Sequence, residues 1–309
     1  MFTSAMPSAE LHALLRAHVR ARSDLVCSGH PLEYRAGTWE LLRIASKGLD
    51  PGDLRGTERV VVVRGTIHGD EVAGALTVLN YLDELVEAAH ERDLRLIVYP
   101  LGNPSGFDRG LRYNADHHMG EGNNDFLRYR MPDGSLEGDL GPGRPFDSWV
   151  MADHPALGVD LPAESRLMLE LVRQDPLPQV VGALDLHQDH LSGLPPYAYH
   201  YAFGDLERYA DVTRRITEVV PLLTGYDVSG GFGEQIDADG QVVPRAEGEG
   251  MRTDERGFIV RHDGSFSDFY HRLGAAHSIA PETSGATPME QACLVNWIWL
   301  TGVLDALTS

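Results

Sequence analysis

Cysteine and basic residues are scarce in this sequence of 309 residues, which contains only the two cysteines Cys27 and Cys293. Two cysteines make neither a disulfide framework nor a CxxC zinc motif, so a metal site would need His, Asp and Glu side chains. Aspartate and glutamate outnumber lysine and arginine by 46 to 26, and the formal net charge is −20. A polyanion binder needs a basic face, so nucleic acid and anionic membrane surfaces are excluded as expected partners.

Long hydrophobic runs are also missing. The longest apolar stretch, residues 293–307, is interrupted by Asn296 and Asp305, and it is too short and too polar to span a bilayer. Residues 1–22 have leucines at helical spacing but no unbroken apolar region, which indicates a surface helix rather than a secretory signal. We expect a cytoplasmic protein whose partner is a small-molecule or short-peptide substrate. The sequence does not predict the oligomeric state.

Apolar and β-branched runs alternate with helical patterns along the chain. The runs predict buried strands at residues 59–64, 94–100, 180–186, 197–203 and 277–280. The helical patterns predict helices at residues 72–89, 163–174, 206–223 and 288–307. The strand at residues 59–64, the helix at 72–89 and the strand at 94–100 follow one another closely, which indicates a βαβ unit. We therefore expect an α/β fold with a mixed, largely parallel twisted sheet and helices on both faces.

The domain organisation follows from composition. We find no linker or internal repeat, so we expect residues 56–309 to form a single domain, with residues 1–55 packed on it as a helical and extended segment. Residues 102–162 are rich in Gly, Pro and Asp, and residues 229–257 are Gly-rich and acidic. Both stretches lack periodicity and are predicted to be long loops, which in a compact domain are usually functional or disordered.

Two segments carry side chains that bind metals. His68 and Glu71 stand three residues apart, where the first predicted strand leads into a helix, so both can turn onto one centre. His187 follows the strand predicted at residues 180–186, and open α/β sheets place their ligands at such strand ends. Catalytic zinc sites commonly use two His and one carboxylate and keep a fourth position for water. A turn with incidental polar residues and a histidine buried at a sheet edge are the alternatives.

Two further segments carry groups suited to amide hydrolysis. Glu282 follows the apolar strand predicted at residues 277–280; beside a metal-activated water it could act as general base and then as acid. Arg109 and Arg112, three residues apart, could present guanidinium groups that stabilise a tetrahedral oxyanion. A solvated loop glutamate and ordinary surface arginines are the alternatives.

Taken together, the four elements resemble the zinc carboxypeptidase superfamily, in the branch that includes succinylglutamate desuccinylase and aspartoacylase. The matching residues are His68 and Glu71, then Asn103-Pro104-x-Gly106-Phe107 with a downstream Arg, then His187 after a strand, and then Glu282. The segments at 268–274 and 287–290 also look like their counterparts in the family. The resemblance runs from about residue 59 to residue 308 and implies a zinc carboxypeptidase-like fold with a zinc-hydrolase catalytic domain.

The resemblance also implies roles for individual residues. His68, Glu71 and His187 would be the ligands of one Zn²⁺ per chain, and Glu282 would be the catalytic base. Arg112 would polarise the scissile carbonyl, with Arg109 as the alternative. Glu121 would orient His68 where the family usually has an aspartate, with Asp116 as the alternative. The remaining implied substrate contacts come from Arg109, Asn123, Asn124 and Asp125.

The sequence departs from the family at the pair that grips a substrate carboxylate, which is usually Asn-Arg. Asn123 fits the first position, but Asn124 stands at the second, followed by Asp125. A carboxylate clamp needs a charged, bidentate donor, and an amide is a poor substitute. The family's phenol before the glutamate strand is also missing from residues 258–262, where Arg261 or His262 could supply a polar group.

Three tyrosines, Tyr197, Tyr199 and Tyr201, alternate along a predicted strand and so share one face. Packing in the core explains them better than a substrate-binding stripe.

These observations favour a zinc-dependent amide hydrolase that deacylates a small N-acyl amino acid or a related compound. A metallocarboxypeptidase that cleaves short peptides is the enzymatic alternative, and the missing Asn-Arg pair argues against it. A non-catalytic metal-binding relic is the other alternative. Glu282 argues against that, because a protein that only binds needs no general base.

Overall fold

The computed structural model describes nearly all of the chain, namely residues 6–34, 36–49, 56–116, 124–140, 144–189, 195–228, 235–236, 242–243 and 251–308. Its α-helices are α1 (Ser8–Ala21), α2 (Ala73–His90), α3 (Pro104–Arg109), α4 (Ala163–Gln174), α5 (Ala210–Thr217), α6 (Phe266–Arg272) and α7 (Met289–Ala306). Its strands are β1 (Leu25–Tyr34), β2 (Gly37–Ser46), β3 (Val60–Gly65), β4 (Arg95–Tyr99), β5 (Leu127–Arg130), β6 (Leu136–Glu137), β7 (Ser148–Met151), β8 (Val180–Leu186), β9 (Ala198–Phe203), β10 (Gln235–Ile236), β11 (Val242–Val243), β12 (Phe258–Ile259) and β13 (His277–Thr283).

Eight of these strands form one mixed sheet in the order β1-β2-β4-β3-β8-β13-β9-β12. The central strands β4, β3, β8 and β13 run parallel to one another. Strand β9 runs antiparallel to β13, and the hairpin of β1 and β2 adds an antiparallel edge. The expected fold class, a mixed and largely parallel sheet in an α/β domain, is confirmed.

Helices cover both faces of this sheet. The side chains of a strand point alternately to its two faces, so each face of β3 presents apolar side chains that the helices bury. On β3, Val61 and Val63 pack in the hydrophobic cluster that includes residues of α1, α2, α5 and α7. The neighbouring Val60 and Val62 pack in the opposite cluster, which includes residues of α4 and α6. Burial on both sides explains why β3 is an uninterrupted apolar run.

Some elements differ from those expected. The helix expected over residues 206–223 is a 3₁₀ turn followed by α5, which ends at Thr217. Val219 and Val220 are β-branched and directly precede Pro221, which disfavours a helical continuation. Residues 102–162 are expected from the sequence to form a long loop. They include helix α3 and the three-stranded sheet β6-β5-β7, and they end just before α4 begins. No helix among the described residues is long and apolar enough to cross a membrane.

Candidate metal and active site

The ends of three adjacent strands bring the site together. His68 lies three residues beyond the end of β3, His187 directly follows β8, and Glu282 lies near the end of β13. The backbone ties these ends to one another, since Thr66 N donates to Leu186 O at 3.4 Å and His187 N donates to Pro281 O at 3.1 Å. Parallel strands that end at one edge of a sheet therefore gather residues that are distant in the sequence.

The turn that carries His68 and Glu71 has a backbone constraint. Thr66 adopts a positive φ of 51°, a conformation that is rare for a β-branched residue. Its hydroxyl donates to Glu71 O at 2.9 Å and accepts from Ala75 N at 2.9 Å. A Cβ at Gly69 would lie 2.1 Å from the backbone of Gly106, so this position needs glycine. The turn is thereby fixed against the start of α2 and against α3.

His68, Glu71 and His187 form a compact set of metal donors. Glu71 Oε1 lies 2.8 Å from His68 Nδ1, and Glu71 Oε2 lies 2.9 Å from His187 Nδ1. One donor atom from each residue lies within 4.8 Å of the others, and all three side chains are buried. Two imidazole nitrogens and a carboxylate are the donor set that a catalytic zinc ion uses. The structure thus brings together the three residues predicted as ligands.

Asp185 fixes which nitrogen of His187 faces the donor set. The Nε2–H of His187 donates to Asp185 Oδ2 at 2.9 Å, which leaves Nδ1 pointing at Glu71. A carboxylate behind a histidine fixes its tautomer and orientation for metal binding. Sequence reasoning did not identify Asp185, although it stands two residues before His187 and therefore points to the same face of the strand.

Arg64 in turn holds Asp185. Its Nε donates to Asp185 Oδ1 at 2.8 Å, and its Nη2 forms a second, short bond to Asp185 Oδ2. The guanidinium lies over the rings of Phe126 and Phe266, at 4.7 and 4.3 Å from their centroids. Both charges of the pair are fully buried, so its bidentate geometry and the two aromatic faces must offset the loss of water.

The charges around the donor set favour a cation there. Burial lowers the pKa of His68 to about 4, so this imidazole is neutral and its lone pair is available. Burial alone would also favour a neutral His187, but Asp185 and Glu282 raise its pKa well above the usual value. Burial opposes ionisation of Glu71, yet the two histidines hold the pKa of its carboxyl well below its usual range. A metal ion would supply the positive charge that this arrangement stabilises, so the residues fit the predicted cofactor.

Glu282 lies beside the donor set. Its Oε1 is 3.7 Å from His187 Nδ1, and its buried Oε2 has no hydrogen-bond partner among the described residues. Burial raises the pKa of Glu282 well above its usual value, and Glu71 and Asp189 add to the effect while His187 opposes it. A carboxylate that readily takes a proton is suited to general-base chemistry.

Of the two arginines considered for the oxyanion, Arg112 reaches the site. Its Nη1 donates to Glu71 Oε1 at 2.6 Å, and its guanidinium lines the cavity above the metal donors. Asn103 caps α3 and fixes this loop, because its Nδ2 donates to Arg112 O at 3.0 Å. Arg109 is exposed, and its Nη1 donates to Ala115 O at 3.3 Å.

The cavity has a volume of about 190 Å³. Beyond the donor set and Arg112, its wall includes Asn124, Tyr201, Arg261, Asp263 and Ser267. The expectation that Tyr197, Tyr199 and Tyr201 all serve packing is wrong for Tyr201, which faces this cavity. The alternation of tyrosines along a strand shows that they share a face. It does not show whether a given side chain on that face meets the apolar core or a cavity.

The other predicted substrate contacts have different surroundings. Asn124 lies in the cavity wall and accepts a hydrogen bond from Arg64 Nη2 at 2.9 Å. Asp125 forms an ion pair with Arg128 at 2.7 Å and lines an adjoining hollow. Glu121 and Asn123 lie outside the described residues. Their predicted roles, and those of the other site residues, remain predictions.

Comparison with protein families supports the resemblance drawn from the motifs. Residues 57–141 match the family described as the succinylglutamate desuccinylase/aspartoacylase catalytic domain. This stretch contains His68, Glu71 and Arg112, whereas His187 and Glu282 lie beyond it. A search of curated proteins finds no match to the chain.

Solved structures share the fold over nearly the whole chain. A candidate metallopeptidase from Shewanella baltica OS155 is 22% identical, with a TM-score of 0.61 over 97% of this chain and 92% of that one. Carboxypeptidase A from Helicoverpa armigera is 14% identical, with a TM-score of 0.55 over 99% of this chain and 74% of that one. A metallo-carboxypeptidase from Burkholderia cenocepacia is 14% identical, with a TM-score of 0.53 over 97% and 69%. The predicted resemblance to the zinc carboxypeptidase superfamily and its fold is confirmed.

Proposed function

We propose that this chain is a zinc-dependent hydrolase of C–N amide bonds, and that it deacylates a small N-acyl amino acid or a related compound. One observation carries the proposal. His68 and Glu71 share one turn and His187 comes from a separate strand, yet the three form one buried donor set, with Glu282 and Arg112 beside it. The carboxypeptidase-like hydrolase fold is consistent with this chemistry.

The metal would be held by Nδ1 of both histidines and by the carboxylate of Glu71. Zinc at such a site lowers the pKa of water towards neutrality and polarises carbonyl groups. Asp185 keeps His187 in the tautomer that binds metal, and Arg64 keeps Asp185 ionised and in place. The donor set is therefore preorganised by a buried chain of hydrogen bonds that starts at Arg64.

Glu282 would move the proton during the reaction. Its carboxylate takes a proton from the attacking water and then passes it to the leaving nitrogen, so it serves as base and then as acid. The guanidinium of Arg112 would donate to the carbonyl oxygen as negative charge develops there. In the structure its Nη1 already lies at the donor set, 2.6 Å from Glu71 Oε1.

Charge in the cavity favours a deacylase over a carboxypeptidase. Among the described residues, the cations that line it away from the donor histidines are Arg112 and Arg261. Arg112 is engaged with Glu71, and Arg261 makes a two-pronged ion pair with Asp139. A carboxypeptidase needs a charged donor for the substrate's terminal carboxylate. Arg112 is assigned to the carbonyl oxygen and Arg261 is held by Asp139, so neither is placed to hold that carboxylate.

The environment of Glu282 argues against a non-catalytic relic. A buried carboxylate with an unsatisfied oxygen destabilises a fold, and binding a metal does not require it. A role in proton transfer better explains why the buried carboxylate of Glu282 lies next to the donor set.

The proposal is tested by the metal content of freshly purified protein together with a hydrolysis assay. The panel pairs N-acyl amino acids with dipeptides of the same side chains. We expect one zinc per chain and release of acyl groups. Faster hydrolysis of the dipeptides would favour the carboxypeptidase, and metal binding without hydrolysis would favour the relic. The cytoplasmic location and the absence of nucleic-acid and membrane partners remain predictions.

A further inference from the structure

One wall of the cavity begins at Glu282 and extends away from the metal donors. Ala280 stands two residues before Glu282 on β13, so both side chains point to the same face. Tyr201 on β9 lies directly opposite Ala280 in the antiparallel register. Ser267 comes next in the same wall, and Ser278 Oγ donates to its carbonyl oxygen at 2.6 Å.

The chemistry of Glu282 identifies which part of a substrate follows this wall. If Glu282 returns its proton to the leaving nitrogen, that nitrogen must lie within hydrogen-bond reach of its carboxylate. Arg112, the donor for the carbonyl oxygen, lies on the side of Glu71. The amine portion of the substrate therefore lies beside Ala280 and Tyr201, and it extends towards the far end of the cavity.

Three carboxylates and two guanidinium groups line the hollow that adjoins the cavity. Arg128 pairs with Asp125, and Arg261 pairs with Asp139 through Nε and Nη2. The remaining Nη1 of Arg261 contacts Met251 Sδ at 2.9 Å. The fifth group is Asp263, which lines both the cavity and the adjoining hollow.

Asp263 is the one carboxylate of this group that has no ion-pair partner among the described residues. Its Oδ1 accepts from Ser265 N at 3.0 Å, a bond that fixes the side chain at the cavity wall. Burial raises the pKa of Asp263, and the nearby Arg261 only partly opposes that effect. Because Arg261 is paired with Asp139, the carboxyl group of Asp263 is placed to accept a hydrogen bond at the end of the cavity that the leaving amine would reach.

We propose that Asp263 selects a leaving amine that carries a second, positively charged group, such as the primary ammonium of a diamino acid. This inference rests on the proposed amide hydrolysis and names the substrate class for the same site. An ammonium group would replace the missing partner of Asp263 with a charge-assisted hydrogen bond. The hydroxyls of Ser265, Ser267 and Tyr201 line the same region and suit a polar chain better than an aliphatic one.

The test uses the zinc-loaded chain and three substrates of similar shape, the N-acetyl carboxamides of lysine, norleucine and glutamate. We expect kcat/KM for the lysine compound to exceed that for the norleucine compound by about tenfold or more, and the glutamate compound to be poorest. Asp263→Asn keeps an oxygen for Ser265 N and should remove most of this preference. Glu137→Gln is the control, because it removes one carboxylate outside the cavity, where Glu137 pairs with Arg144.

Equal rates for lysine and norleucine compounds, or a lysine preference that survives in Asp263→Asn, would overturn the inference. If no compound releases acetate, the proposed function fails, and calorimetric binding of free lysinamide and norleucinamide still decides the role of Asp263. Binding of lysinamide that is about tenfold tighter, and lost in Asp263→Asn, supports the selection of a cation. Equal binding of the two amines contradicts it.

Discussion

Asp185 lies directly behind His187, and the 2.9 Å bond between Asp185 Oδ2 and the ring Nε2 turns Nδ1 towards Glu71. This relationship connects the buried core of the sheet to the candidate metal site. Because Arg64 binds the same carboxylate, the orientation of a candidate metal ligand depends on a residue outside the donor set.

Asp185→Asn is expected to weaken zinc binding by about 10- to 100-fold, the usual effect of removing a carboxylate behind a ligating histidine. The amide cannot hold the charge of Arg64, so the protein should also lose stability. Chelator competition measures the affinity. Asp175→Asn is the matched control, because it also breaks a buried aspartate–arginine pair, with Arg43, away from the site. An equal loss of zinc affinity in both variants would show a general effect of instability.

Glu282→Gln is expected to keep the fold and the metal but to lower kcat by about 10²-fold or more, because the amide cannot accept a proton. Turnover is measured at matched zinc content, which separates proton transfer from metal loss. Substantial activity in this variant would refute the assignment of Glu282 as the base.

The leaving-group side of the substrate is expected to tolerate an amide at least as well as a free carboxylate. Asn124 stands where the family usually has the Arg of its Asn-Arg pair, and Asp125 follows it. An anion would therefore meet a neutral amide and a like charge. Matched substrates with a free acid and its carboxamide give the comparison. A preference of about tenfold for the free acid, or about 1.4 kcal/mol, would restore the carboxypeptidase interpretation. Asn124→Arg should improve turnover of the free acid.

Stability is expected to depend on pH through Glu164. This carboxyl is buried at the start of α4, and burial raises its pKa from 4.5 to about 8. Between these values the folded protein binds a proton that the unfolded chain releases. The free energy of unfolding should therefore fall as pH rises through this window, by up to about 1.4 kcal/mol per pH unit.

Glu164→Gln should remove this dependence, so the variant should be more stable than the parent at pH 8 and similar to it at pH 5. Urea denaturation at both pH values measures the difference. Glu170→Gln, an exposed change on the same helix, is the control and should keep the parent's slope. A Glu164→Gln protein that shows the parent's slope would refute the assignment.

Much of the site could be predicted because its residues stand at recognisable strand ends. His68, His187 and Glu282 each follow or end a β-branched or apolar run, and the parallel sheet then gathers them at one edge. The order β1-β2-β4 at the opposite edge could not be predicted, because the hairpin of β1 and β2 contains Gly29, His30 and Pro31 and lacks a clear strand pattern.

The supporting residues escaped sequence reasoning for a different reason. Arg64 and Asp185 lie inside apolar strands, where a single charged residue gives no signal of its partner. Their pairing depends on the register between β3 and β8, which places Arg64 opposite Asp185. Asp263 lies in a short segment before α6, and only the three-dimensional arrangement shows that Arg261 is already paired with Asp139. Pairings of this kind depend on tertiary structure rather than on local pattern.

The most direct test of the account is a zinc titration of chelator-treated protein, followed by hydrolysis of an N-acyl amino acid at each step. We expect activity to be absent without zinc, to rise in proportion to added metal and to saturate at about one zinc per chain. We also expect that His68→Ala and His187→Ala neither retain zinc nor recover activity. Full activity in the chelator-treated protein, or full zinc retention by both histidine variants, would contradict the account.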